Sequence, residues 1–182
     1  MALELGPCQV SFGTAGAEVD LGKTYGGVVV KLTDDYVDLM SDQYGTAAED
    51  TIITGNKAEV EISFAEIDFD MLALVLNQAT FGTAPAGLTG QNNVGTSLLA
   101  AAASLELIKY VAGIPSTDLK NKIIFPKAAP LSNVELSYDA ENQRVLKTTF
   151  RCYPSVVNAA WGTGTPNDLT VLYYFGDQTA AA

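Results

Sequence analysis

Three stretches of this sequence carry residue types that can do chemistry. Gly22-Lys23-Thr24 is the closing part of a phosphate-binding loop, in which backbone amides cradle phosphates and the lysine reaches the outer ones. The first glycine of that motif would fall at Ala17, however, and the segment runs through Tyr25-Gly26-Gly27 into the Val28-Val29-Val30 run, where the motif requires a helix N-terminus. It reads as a turn before a strand. Asp34, Asp35, Asp38 and Asp42 crowd carboxylates into one short stretch, as a cation site or an acid–base pair would need. No Asp-x-Asp-x-Asp-Gly run with a closing Glu follows, so the EF-hand form is missing, and the block reads as solvated same-sign charge. Gly162 and Gly164 lack both the third glycine of a dinucleotide fingerprint and a strand leading into it, and read as loop.

The chain contains no histidine and two cysteines. A His-dependent triad is therefore impossible within it, and zinc or iron–sulfur frameworks lose their usual ligands. Cys8 shares the apolar phase of Val10 and Phe12, and Cys152 that of Phe150, so both read as free buried thiols. Trp161 and the Tyr173-Tyr174-Phe175 cluster could stack on a sugar, but aromatics in a terminal strand more often serve as core or interface anchors. Tyr173 and Phe175 are assigned to the core. No catalytic residue, cofactor or metal ligand is assigned.

Charge narrows the function further. The net charge is −11, and it sits in one half: residues 1–70 hold 14 Asp and Glu against 3 Lys, whereas residues 71–182 hold 7 acidic against 7 basic residues. A nucleic-acid binder needs basic residues that neutralise phosphates and release counterions, so an acidic first half argues against one. With 182 residues, 48% hydrophobic and 17% charged, the chain reads as a single domain over 1–182 with a sizeable core. The start, Met1 to Pro7, has neither a basic n-region nor an apolar h-region, and no apolar run approaches the ~18 residues of a membrane span. The expectation is a soluble protein made in a cytoplasm.

The elements that would position these residues are mostly strands. Cys8 to Gly13 alternates with period two, Val28 to Thr33 is β-branched, and Ala58 to Ala65 places Val60, Ile62 and Phe64 on one face with Glu59, Glu61 and Ser63 on the other. Two long loops are expected, about 34–57 and 80–97; the first contains possible strand pieces at Tyr36 to Met40 and Thr51 to Thr54 and is too long for a simple hairpin connection. Asp68 is a candidate N-cap for one amphipathic helix over Phe69 to Gln78. Strand resumes at Leu105 to Val111 and Ile123 to Phe125, the latter closed by a Pro-bounded bend. A hairpin pairs Val134 to Tyr138 with Val145 to Tyr153, and Leu169 to Phe175 is the last strand. This pattern points to a mainly β chain, a β-sandwich or partly closed barrel with one flanking α-helix.

The order of these pieces resembles the major tail tube proteins of long-tailed bacteriophages. The resemblance is carried by Val10 to Gly13, Asp20-Leu21-Gly22-Lys23-Thr24-Tyr25-Gly26-Gly27-Val28, Asp42-Gln43-Tyr44-Gly45 and Val60 through Glu66 in the first half. In the second half it rests on Phe125-Pro126-Lys127-Ala128, the hairpin, Phe150 with Tyr153-Pro154, and Phe175-Gly176-Asp177. The resemblance implies a non-enzymatic virion protein, assembled in the host cytoplasm, whose hexameric rings stack into a hollow conduit. Its implied partners are further copies of itself, the tape-measure protein, and tail terminator and tail-tip proteins, with genomic DNA passing through the lumen without specific binding. On that expectation Glu59 and Glu61 face the lumen as a repelling negative wall, and the stretch carrying Asp34, Asp35, Asp38, Asp42 and Tyr44 reaches a neighbouring ring. Two other readings stand beside it: the tube protein of a contractile or secretion-type injection machine, and a β-sandwich carbohydrate-binding or adhesion module using Trp161.

Overall fold

A computed structural model describes residues 7–40, 42, 47–65, 68–76, 79–83, 86–90, 94–131, 145–158 and 168–176. The chain is mainly β. The strands that build its body are β1 (Cys8–Thr14), β2 (Ala17–Asp20), β3 (Thr24–Met40), β4 (Ala48–Phe64), β7 (Ala103–Val111), β9 (Lys122–Leu131) and β10 (Leu146–Cys152). They form one antiparallel sheet in the order β2-β1-β7-β9-β10-β4-β3, with β8 (Ile114–Pro115) added to β7 and β13 (Tyr174–Phe175) added to β9. Two separate hairpins complete the β structure, β5 (Ala79–Thr83) with β6 (Ala86–Gly90) and β11 (Ser155–Asn158) with β12 (Asp168–Val171). The single α-helix described, α1 (Phe69–Val75), starts where the Asp68 carbonyl accepts the Leu72 amide at 2.9 Å.

The sheet is strongly curled, and side-chain packing shows it. β1 and β10 are separated by β7 and β9, which on a flat sheet would put them about 14 Å apart at the usual inter-strand spacing of ~4.8 Å. Yet the rings of Phe12 on β1 and Phe150 on β10 lie 5.1 Å apart. The concave face thus encloses the core: Val10 and Phe12 of β1, Val60, Ile62 and Phe64 of β4, Leu105 and Leu107 of β7, Phe125 of β9, and Leu146 and Phe150 of β10 are all buried. Met71 and Val75 of α1 join the same cluster. The sheet is open and not closed into a barrel: among the described residues, β2 and β3 stand at the two ends of the strand order and do not pair with each other.

Alternation decides which face each strand buries. Along β4, Ala58, Val60, Ile62 and Phe64 are buried while Glu59, Glu61 and Ser63 stay partly exposed. Along β10, Leu146, Thr148, Phe150 and Cys152 are buried and Lys147 and Arg151 exposed. A one-residue slip between these strands would exchange the two sets, so the pairing Phe150↔Val60 is locked by burial on one side.

Several expectations are corrected. Residues 34–57 are no loop: β3 and β4 pair from Leu32↔Ala58 out to Met40↔Ala48, so only 41–47 connect them. Tyr36, Val37, Ile52 and Ile53 are β-formers, and the aspartates between them sit on an exposed ribbon where charge does not oppose a strand. Residues 79–83 and 86–90 likewise pair as a hairpin inside the expected 80–97 loop. β9 does not stop at Pro126; a bulge between the pairs Leu105↔Phe125 and Ala103↔Ala128 lets the proline sit where the ladder is already broken. The last apolar run divides, β12 pairing with β11 and β13 with β9. Tyr173 packs between Phe125 and Phe175, but Phe175 is 59% exposed, so its core assignment fails. The expected strand 134–138, Trp161 and the Gly162/Gly164 pair lie outside the described residues.

The turn between β7 and β8 has two residues, Ala112 and Gly113, with φ of 53° and 84°. Two left-handed residues in a row define the hairpin turn that follows strand twist, and alanine is the poor member of the pair. Ala112→Asn should stabilise the protein by about 1 kcal/mol in urea unfolding, since asparagine tolerates the left-handed region better; no gain, or a loss, would contradict this turn geometry.

Candidate functional site

The β3–β4 hairpin divides into a part embedded in the body and an arm that leaves it. From Leu32 onward the residues of β3 are exposed, apart from half-buried Asp35, and the facing residues of β4 stay exposed back to Lys57 apart from Gly55. Because Tyr36 pairs with Ile53 and Val37 with Ile52, the two pairs fall on opposite faces of the ribbon. The arm therefore shows apolar side chains on both sides; Tyr36, Val37, Leu39, Met40, Ile52 and Ile53 are 46–64% exposed. A two-stranded ribbon alone has little to hold it, so its own polar pairs matter.

The predicted acidic residues supply those pairs. Asp34 accepts hydrogen bonds from Tyr36 Oη at 3.2 Å and Asn56 Nδ2 at 2.6 Å. Asp35 pairs with Lys57 Nζ at 2.6 Å, and its carbonyl accepts Thr54 Oγ1 at 3.2 Å. Asp38 accepts Thr51 Oγ1 at 2.8 Å. The Tyr36 phenol is pushed to a higher pKa by its hydrogen bond to Asp34 and by that carboxylate's charge. The hairpin thus brings Asp34, Asp35 and Asp38 into one arm but spreads them over alternating positions, each engaged across the ladder. Asp42 is exposed in the turn region at the arm's end, and Tyr44 lies outside the described residues.

Glu59 and Glu61 do occupy the convex, non-core face, but neither is a free carboxylate. Arg151 on β10 donates to Glu59 Oε1 from Nη2 at 2.8 Å and Nε at 3.3 Å. Lys31 on β3 is paired with Glu61. The carboxylate beside Arg151 raises the guanidinium pKa further, so it stays charged at any ordinary pH. This face is a zipper of alternating charge across β3, β4 and β10, with Lys31, Glu59, Glu61, Lys147 and Arg151 in neighbouring positions. The glutamates are legible in the sequence and their partners are not, because the pairing of β10 with β4 joins residues far apart in the chain. In register, Arg151 stands opposite Glu59, and that opposition was the signal available.

Lys23 leads into strand β3 rather than a helix, and its carbonyl accepts the Ala65 amide at 2.8 Å. Both cysteines are free, with Cys152 buried and Cys8 half-buried. A cleft of about 520 Å³ between β2 and α1 is lined by Asp20, Leu21, Asp68, Asp70, Met71 and Leu74. Asp20 is already engaged there, accepting Gln9 Nε2 at 2.7 Å and the Gly22 amide at 2.9 Å. No protein-family model matches the chain, and no curated protein matches it significantly.

Burial pushes the Cys152 thiol up to about 12, with a smaller push from Glu59. A thiol this reluctant to ionise is a poor nucleophile and should resist iodoacetamide at pH 8 until denaturant is added. The unfolded chain gives up this proton near pH 9 while the folded chain holds it, so stability falls as pH rises from 9 toward 12, by up to about 1.4 kcal/mol per unit. Urea midpoints of Cys152→Ala should therefore decline less steeply over that range than those of the parent chain; equal slopes would refute the assignment.

Proposed function

We infer that this chain is a self-assembling structural subunit, and that it serves as the major tail tube protein of a long-tailed phage. The observation that carries the first part is the arm together with its strand edge. β3 is 17 residues long, forms one edge of the sheet, and exposes apolar side chains beyond the body on both faces. Proteins that stay monomeric blunt such edges by shortening, covering or charging them throughout. An edge left this long is accounted for when another copy covers it.

The second part rests on the ordered resemblance to tail tube proteins described above. A curled sheet whose two end strands have no further neighbour among the described residues is the kind of unit that can join its neighbours into one larger barrel, which removes every edge. In that arrangement six copies would form a ring, rings would stack through the arms, and the bore would admit the tape-measure protein and then the genome. The convex face of β3, β4 and β10 is our candidate for the lumen wall. Two of its three basic residues would be masked from DNA, since a phosphate must compete with Glu61 for Lys31 and with Glu59 for Arg151, and Lys147 is the third. Tail terminator and tail-tip proteins would meet the ends of the same stack.

Purified protein should form rings or tubes with a central hole in negative-stain electron microscopy over a concentration series, with matching mass by light scattering. Deleting residues 38–45 should leave the circular dichroism spectrum β-like and the particle at monomer mass; full-length tubes from this variant would remove the arm from the interface. A density map of the tube should place Glu59 and Glu61 on the bore, and finding both on the outer surface would reverse the lumen assignment.

A further inference from the structure

Within the body, the ladder between β3 and β4 breaks at one place. Thr24 pairs with Phe64 and Val28 with Ile62, so Tyr25, Gly26 and Gly27 stand opposite the single residue Ser63. Gly26 and Gly27 take φ of +77° and +93°, and a Cβ on either would meet nothing within 4 Å. The bulged strand leaves a notch of about 390 Å³ lined by both glycines, Glu61, Ser63, Lys147 and Thr149. Lys147, opposite Ser63, is exposed and has no ion-pair partner among the described residues, whereas Lys31 and Arg151 on the same face are held by Glu61 and Glu59. One uncommitted ammonium beside two hydroxyls is a recognition set for a carboxylate.

We propose that this notch receives a carboxylate from the end of the β3–β4 arm of a second copy of the chain, an assignment that rests on the self-assembly reading above. Charge complementarity selects the arm, because residues 38–50 include Asp38, Asp42, Glu49 and Asp50 and no lysine or arginine. Geometry excludes the arm of the same copy. Gly27 and Asp38 lie on one continuous strand, and at about 3.3 Å per residue the arm's end stands roughly 35 Å from its own notch. An arm that fills the notch must therefore belong to another molecule. A contact joining the tip of one copy to a notch elsewhere on the next is heterologous, so it propagates from copy to copy instead of stopping at a dimer.

The test uses the full chain and sedimentation velocity across a concentration series, with circular dichroism to confirm folding. Lys147→Glu should raise the concentration needed for assembly at least tenfold, and Lys147→Met, which removes only the charge, should move it in the same direction. The arm variant Asp42→Lys/Glu49→Lys/Asp50→Lys should be impaired alone and should recover when combined with Lys147→Glu in one chain. If the parent chain assembles and folded Lys147→Glu assembles equally well, the notch proposal is overturned while the self-assembly reading stands. Failure of the combined variant to recover also overturns it. If the parent chain forms no assembly at any concentration, the reading beneath it falls as well.

Discussion

The structure depends on the burial of one face of β4. This strand lies between β10 and β3, and its alternating set Ala58, Val60, Ile62 and Phe64 is almost wholly removed from water. Burying a large aliphatic or aromatic side chain is worth roughly 1.5–3 kcal/mol, so the set outweighs any single polar interaction on the opposite face. Those polar interactions, Lys31 with Glu61 and Arg151 with Glu59, are largely exposed and contribute little to stability individually. Their register is a consequence of the core. Once Phe150 must face Val60, Arg151 must stand opposite Glu59.

The same strand then runs out of the core and becomes half of the arm. Between Asn56 and Ile53 the ladder shifts by one residue, leaving Thr54 extra on β4, and beyond that point both faces are in water. A strand whose inner half is pinned by burial can hold an outer half that has no burial of its own, because the backbone ladder continues through the shift. Asp34, Asp35 and Asp38 fit this setting: each engages a partner across or along the ribbon, so the ribbon is held by its own polar groups where a core is missing. The acidic block, which the sequence presents as solvated same-sign charge, is ribbon chemistry.

The body was legible where one face is apolar and the other polar. Cys8 to Gly13, Ala58 to Ala65 and the helix after Asp68 were readable because a period of two or 3.6 appears directly in the residue order. The arm was not legible as a hairpin because both of its faces mix apolar and acidic side chains, which cancels the alternation that marks a half-buried strand. Ends of elements failed for a different reason. Pro126 signals a break in a strand, but it falls at a bulge where the ladder has already lost a pair, so β9 passes through it. Phe175 signals core, but a two-residue strand at the rim of the sheet leaves its ring exposed.

Features absent from any local pattern arise from long-range pairing, and the candidate site is made almost entirely of these. Arg151 meets Glu59 across 92 positions of sequence, and Lys31 meets Glu61 across 30. The notch needs three strands at once: the glycines of β3, Ser63 of β4 and Lys147 of β10. Gly26-Gly27 alone reads as a turn, and Lys147 alone as an ordinary surface lysine. Only the register, fixed by burial on the other side of the sheet, gives the pair a shared location. A sheet that commits its concave face to the core leaves its convex face free to vary, and there a charge without a partner among the described residues is most simply matched by one on another molecule.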